Sequence, residues 1–217
     1  MTTLITGANR GLGLGLAEHY RTAGETVIGT SRDGEAGVRL DVTDTTSLAN
    51  LSETLGDDPI DTLICNAGVF LDRHEKTETG YAAKLWKRTF ATNVMGVFLT
   101  IQTVLPNLKT AKTAKTPKIV IISSQMGSSA KAGGNALIYR ASKAAALNLG
   151  RNLAVDLELD GIAVGIYHPG WVRTDMGGGG AAISVYTSVK GLSHQIEALS
   201  LETTGCFLNW DGNPQDY

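Results

Sequence analysis

Thr3-Leu4-Ile5-Thr6-Gly7-Ala8-Asn9-Arg10-Gly11-Leu12-Gly13 is the stretch on which the fold is read. Its first four residues are apolar or β-branched and predict a strand. Three glycines follow at Gly7, Gly11 and Gly13, and Gly11–Ala23 has the spacing of a helix. Glycines at such a junction let the backbone turn tightly and approach a ligand. Unpaired amides at the helix start suit a pyrophosphate. Glycine turns are common, so the position of this one, between the first strand and the first helix, carries the weight.

The same alternation runs down the chain. Strands are expected at Glu25–Ser31, Val38–Asp41, Asp61–Cys65, Lys118–Ser123, Ile162–Tyr167 and Cys206–Trp210. Helices are expected from a cap at Asp44 to about Leu55, over Ala82–Leu105, over Ala136–Leu159 with a stop at Gly161, and over Ile183–Leu199. The strands are nearly all apolar, as strands buried on both faces are. The pattern predicts an α/β fold: a Rossmann-type, doubly wound parallel sheet of about seven strands, with helices on both faces. One domain over residues 1–217 is expected.

Composition narrows the classes. Hydrophobic residues make up 42% and charged residues 18% of the 217, as in an ordinary globular protein. A net charge of −2 gives no reason to expect nucleic acid or an anionic membrane as partner. No apolar run is expected to reach the length of a membrane span, and the first residues lack a signal-peptide pattern. Cys65 and Cys206 lie far apart and match no metal spacing, so no metal site is expected, and Cys65 reads as a buried thiol. A cytoplasmic location is the resulting expectation. The lysine-rich stretch from Lys109 to Lys118 reads as a solvated loop at the sheet edge opposite the ligand crevice.

The end of the second expected strand bears on the nucleotide. An acidic residue there binds ribose hydroxyls and repels a 2′-phosphate. Here Ser31 takes that place and Arg32 follows, with Arg10 in the glycine loop near the same region. Guanidinium groups match phosphate oxygens, which favours NADP(H) over NAD(H). Asp33 is the contrary sign unless it points to solvent. Surface placement of both arginines is the alternative.

Tyr139 and Lys143 are four residues apart in an expected helix and share a face. A phenol with a pKa near 10 is a poor base, and a neighbouring ammonium and a positive nicotinamide ring both lower that value. A tyrosine tuned this way exchanges a proton with an alkoxide. Ser124, at the end of an expected strand, can orient a carbonyl oxygen. A Tyr-x-x-x-Lys spacing alone arises often by chance.

Taken together, the chain resembles the short-chain dehydrogenase/reductase family. The matching pieces are Thr6–Gly13, Leu40-Asp41-Val42, Asn66-Ala67-Gly68, Thr92-Asn93, Ile122-Ser123-Ser124, Tyr139–Lys143 and His168-Pro169-Gly170-Trp171-Val172-Arg173-Thr174. The resemblance implies a catalytic tetrad of Asn93, Ser124, Tyr139 and Lys143, with Asn93 holding a water that passes protons to Lys143. It implies cofactor contacts from Gly7, Asn9, Arg10, Gly11, Leu12 and Gly13. Ser31 and Arg32 would face the ribose, Asp41 and Val42 the adenine. Asn66, Ala67 and Gly68 would run along the ribose. Pro169, Gly170, Val172 and Thr174, with Tyr139 and Lys143, would hold the nicotinamide end. Stretches Ile122–Gly127, His168–Gly177 and Gly205–Gly212 resemble the compact C-factor-like carbonyl reductases in particular.

The resemblance implies an oxidoreductase that interconverts a small-molecule ketone or aldehyde with its alcohol, using NADP(H). Family members commonly pair through their long helices, so a homodimer or homotetramer is expected. A dinucleotide-binding signalling protein with little turnover is the alternative. Phe70, Gln125, Met126, Trp171, Met176 and Tyr186 are candidates for an apolar or aromatic substrate pocket, or for core packing. Gly177–Gly180 is expected to open a mobile loop over the pocket, from about Asp175 to Ser188.

Overall fold

The computed structural model describes residues 1–111 and 116–217. Among them, seven strands form one parallel sheet: β1 Thr2–Thr6, β2 Thr26–Ser31, β3 Gly37–Arg39, β4 Thr62–Cys65, β5 Lys118–Ile122, β6 Ala163–His168 and β7 Phe207–Asn209. Their order is β3-β2-β1-β4-β5-β6-β7. The chain winds outward from β1 in one direction and, from β4 onward, in the other. The crevice between the carboxyl ends of β1 and β4 is therefore the switch point where open α/β sheets take ligands.

Successive side chains of a strand face opposite sides of the sheet, and both sides are apolar here. Leu4, Leu63, Ile119, Ile121, Val164 and Ile166 face one core. It is closed by helices α2 (Thr45–Leu55), α4 (Gly96–Thr110) and α5 (Leu137–Asp156). Ile5, Ile64, Val120, Ile122 and Tyr167 face the other, closed by α1 (Gly11–Thr22) and α6 (Val185–Ala198). The expected doubly wound sheet with two covered faces is what the chain forms.

Local signals explain most boundaries. Asp44 caps α2 by accepting from the Thr46 amide at 3.0 Å. Gly161, at φ +72°, turns the chain after α5, in the left-handed region that favours glycine. The expected helix Ala82–Leu105 is corrected in two ways. It continues to Thr110 with Pro106 inside it, and it is interrupted by a π-helical turn at Ala91–Met95, after α3 (Ala83–Phe90). Single π turns are frequent at functional sites, and this one carries Asn93.

The membrane expectation is also corrected. The run Ala83–Thr110 is long and apolar enough, by length and composition, to cross a membrane. Its residues Val97, Ile101, Val104 and Leu108 are buried in the core. Of the lysine-rich stretch, residues 112–115 lie outside the described residues. Lys118 itself is buried, with its ammonium donating to the carbonyls of Ile196 and Glu197.

Candidate active site

The glycine loop leaves β1 with Gly7 at φ +68° and enters α1 with Gly11 at φ +55°. A Cβ on Gly13 would lie 2.2 Å from the Gly7 carbonyl oxygen and 2.5 Å from the Asn66 Nδ2, so only glycine fits. Asn66 and Thr6 hold this cradle. The Asn66 amide donates to the carbonyls of Thr6 and Gly7 at 2.9 and 3.1 Å, and the Thr6 hydroxyl accepts from the amides of Asn66 and Ala67. The Asn66 side chain, expected along the ribose, is thus spent on bracing the loop. No side chain caps α1 and no acid stands in its first turn, which leaves its amides to a ligand. The cradle fits a pyrophosphate. Thr174 reaches it from the far side, its Cγ2 within 3.3 Å of a Cβ at Gly11.

The end of β2 departs from expectation. Ser31 is buried, and Arg32 beside it is exposed. Arg10 does not turn toward them: it forms an ion pair with Asp175 at 2.8 Å. Asp33, although exposed, folds back rather than pointing to solvent. It accepts from the Ser31 hydroxyl at 2.5 Å and from Asn9 at 3.2 Å. These bonds hold its carboxyl below the usual carboxylate range, the Ser31 bond foremost. Asp41 also lies below that range. Burial opposes its charge, but bonds from the Thr43 amide and hydroxyl and the nearby Arg32 outweigh it. Val42 packs on Gly96, where any Cβ would approach its Cγ2 to 2.7 Å.

Asn93, Ser124, Tyr139 and Lys143 converge at the carboxyl end of β5, all buried. Ser124 caps a 3-10 turn, Gln125–Gly127, by accepting from the Met126 amide at 3.1 Å. That turn presses on the α5 backbone at Lys143: a Cβ on Gly127 would lie 2.6 Å from the Lys143 carbonyl carbon. The close approach is what brings Ser124 within hydrogen-bonding reach of the Tyr139 phenol. Lys143 donates to the Ile122 carbonyl at 2.8 Å, and its ammonium stands 5.7 Å from the Tyr139 ring centre. Asn93 uses its side chain structurally. It accepts from the Val69 amide and donates to the Val69 carbonyl and to Ser142.

Charge in this buried site is governed by desolvation. Burial pushes the Tyr139 phenol up to about 12; Ser124 and Arg73 pull it down, and Asp72 adds to the rise. Burial brings the Lys143 ammonium down to about 8. In the free protein desolvation of the phenolate outweighs the charged groups around it, Arg73 foremost; the lowering is expected with a positive nicotinamide ring in place. His168, at the end of β6, falls to about 4, chiefly through burial and then Lys131.

Of the pocket candidates, Phe70 stacks on Tyr139 with ring centres 4.3 Å apart, and Gln125 and Met126 directly follow Ser124. Trp171 is exposed and donates to the Gly177 carbonyl at 2.8 Å. Met176 is partly exposed, while Tyr186 is 75% exposed near the start of α6, a surface position. The helix after the glycine-rich loop, α6, begins at Val185, two residues after the expected Ile183, and Gly177 is tied to the Thr174 hydroxyl.

Asp72 and Arg73 were not legible in the sequence. Asp72 is fully buried and accepts from the amides of Ile138 and Tyr139 at 2.7 and 3.2 Å, capping α5 from another part of the chain. A cap 66 residues away leaves no local motif.

Comparison with known proteins agrees with this geometry. Residues 1–181 match the family described as short chain dehydrogenase. C-signal of Myxococcus xanthus is 36% identical over 155 residues, 71% of this chain and 90% of C-signal. The 1-hydroxy-2-glutathionyl-2-methyl-3-butene dehydrogenase of a Rhodococcus strain is 32% identical over 97% of each chain. The NADPH-bound carbonyl reductase from chicken fatty liver superposes with a TM-score of 0.90 at 32% identity, covering 100% of this chain and 98% of that one. By its sheet order, its glycine cradle and this matched length, the chain belongs to the short-chain dehydrogenase family.

Proposed function

We propose that the protein is an NADP(H)-dependent carbonyl reductase, acting in reverse as an alcohol dehydrogenase. The observation that carries this is the convergence of Ser124, Tyr139 and Lys143 beside the glycine cradle at the switch point of the sheet. The cofactor would be held by the cradle Gly7–Gly13, by Arg32 and Ser31, by Asp41 and Val42, by Ala67 and Gly68, and by Pro169, Gly170, Val172 and Thr174. When bound, it supplies or accepts the hydride.

The remaining chemistry belongs to the chain. Ser124 holds the carbonyl oxygen. Tyr139, still protonated at neutral pH, donates its proton to that oxygen. The Lys143 ammonium stabilises the phenolate as it forms. Asn93 braces the Val69 strand exit against α5 through Ser142, whose hydroxyl donates to the Tyr139 carbonyl. Turnover of NADPH across a panel of aldehydes and ketones tests this. No turnover with any of them would favour the signalling alternative, which the likeness to C-signal supports. A cytoplasmic homodimer or homotetramer belongs to the same proposal; α4 offers the exposed Phe98 for pairing.

The pH profile follows from the two shifted groups. Lys143 is charged below about 8 and neutral above, whereas Tyr139 keeps its proton to about 12. The kcat/KM for reduction should therefore fall as pH rises through about 8. A flat profile from pH 6 to 10 would contradict the role of Lys143.

Cofactor preference rests on Arg32 outweighing the Asp33 carboxylate held at Ser31 and Asn9, since Arg10 is engaged by Asp175. A bond to a charged group is worth about 1.5–3 kcal/mol, or roughly tenfold or more in affinity. Arg32→Ala is expected to weaken NADPH by about that factor and NADH far less, as read from dissociation constants. Equal affinity of the wild type for both cofactors would exclude the 2′-phosphate contact.

A further inference from the structure

The chain segment between β4 and α3 brings Phe70 and Arg73 beside Tyr139. Phe70 stacks on Tyr139, and the Arg73 guanidinium stands 4.9 Å from the Phe70 ring centre. Only one aromatic layer thus separates the guanidinium from the proton donor. On the opposite wall, Arg73 donates through Nη2 to the Met176 carbonyl, and its Nη1 lies 3.9 Å from a Cβ built on Gly178. The side chain runs from the Phe70 ring to the glycine-rich loop.

Its charge is available. Among the described residues, no carboxylate lies within ion-pair distance of Arg73. The acidic groups around it are engaged elsewhere. Asp72 serves the α5 amides, Glu75 accepts from the Tyr81 amide at 2.9 Å, and Asp175 pairs with Arg10. A guanidinium has five N–H donors, and Met176 takes one. The remaining donors form a fork that matches a carboxylate.

We propose that Arg73 is a specificity-determining residue that binds an anionic group of the substrate, so that the preferred substrates are carbonyl compounds bearing a carboxylate. This rests on the carbonyl reductase reading above. The carbonyl would sit at Ser124 and Tyr139 while the carboxylate meets the guanidinium across the edge of Phe70. The apolar face of Phe70 suits the carbon chain between the two ends. A surface arginine that merely packs on an aromatic ring would show no such selectivity.

The test compares a keto acid with its neutral amide of equal length, each reduced with NADPH by the intact protein. The ratio of kcat/KM, acid over amide, is expected to be about tenfold or more in the wild type. It should fall toward one in Arg73→Gln and be partly restored in Arg73→Lys, which keeps the charge but not the fork. Because Arg73 is an exposed residue, the wild-type ratio should also shrink with rising salt. A wild-type ratio near one, or an unchanged ratio in Arg73→Gln, overturns the proposal while leaving the reductase reading in place. Absence of turnover with both compounds while neutral carbonyls of the panel are reduced overturns this proposal alone; absence across the whole panel removes the reductase reading with it.

Discussion

Replacing Tyr139 by phenylalanine is expected to lower turnover by about 10²-fold or more, the usual worth of a positioned proton donor. The change is narrow in structural terms. The ring is buried and stacks on Phe70, and phenylalanine keeps that stack. What disappears is the hydroxyl that Ser124 reaches. The helix start should not move, because Asp72 holds the backbone amide of residue 139 and not its side chain. Steady-state reduction of a good ketone measures the loss, and titration with NADPH checks that the cofactor still binds. Near-normal turnover in Tyr139→Phe would remove this residue from the chemistry.

The second large effect is expected from Gly13→Ala. A methyl group there would sit 2.2 Å from the Gly7 carbonyl oxygen, which is backbone and has no rotamer to change. The cradle must open, and it is tied on both sides by Thr6 and Asn66. Overpacking of this kind costs roughly 1–3 kcal/mol of stability. For a chain of this size each kcal/mol lowers Tm by about 2–4 °C. Dinucleotide affinity should fall by about tenfold or more as the amides lose their aim. Gly179→Ala is the matched control, since nothing lies within 4 Å of its Cβ, and it should leave Tm and affinity close to wild type. Equal behaviour of the two variants would mean that the loop yields and does not act as a rigid cradle.

The fold is legible in the sequence because its signals are local. Alternating apolar strands, a glycine turn after β1, the Asp44 cap and the Gly161 stop each act within a few residues. The break at Ala91–Met95 is not legible there, because the extra residue of a π turn is marked by no glycine or proline within it. Tyr139 and Lys143 were visible together, since four residues on a helix share a face. Their protonation was not. In the free protein the phenol stands at about 12, because burial depends on what the whole fold packs around the ring.

The chain order of strands, helices and glycines, local physics throughout, determined by itself the doubly wound sheet and the position of the crevice. Long-range contact decided the rest. Arg10 pairs with Asp175, 165 residues away, and Asp72 caps a helix 66 residues on. Asp33 bends back onto Ser31 and Asn9, and Arg73 reaches the glycine-rich loop at Met176. A side chain's partner is whichever group the folded backbone brings within about 3 Å, and that distance is not written in sequence spacing.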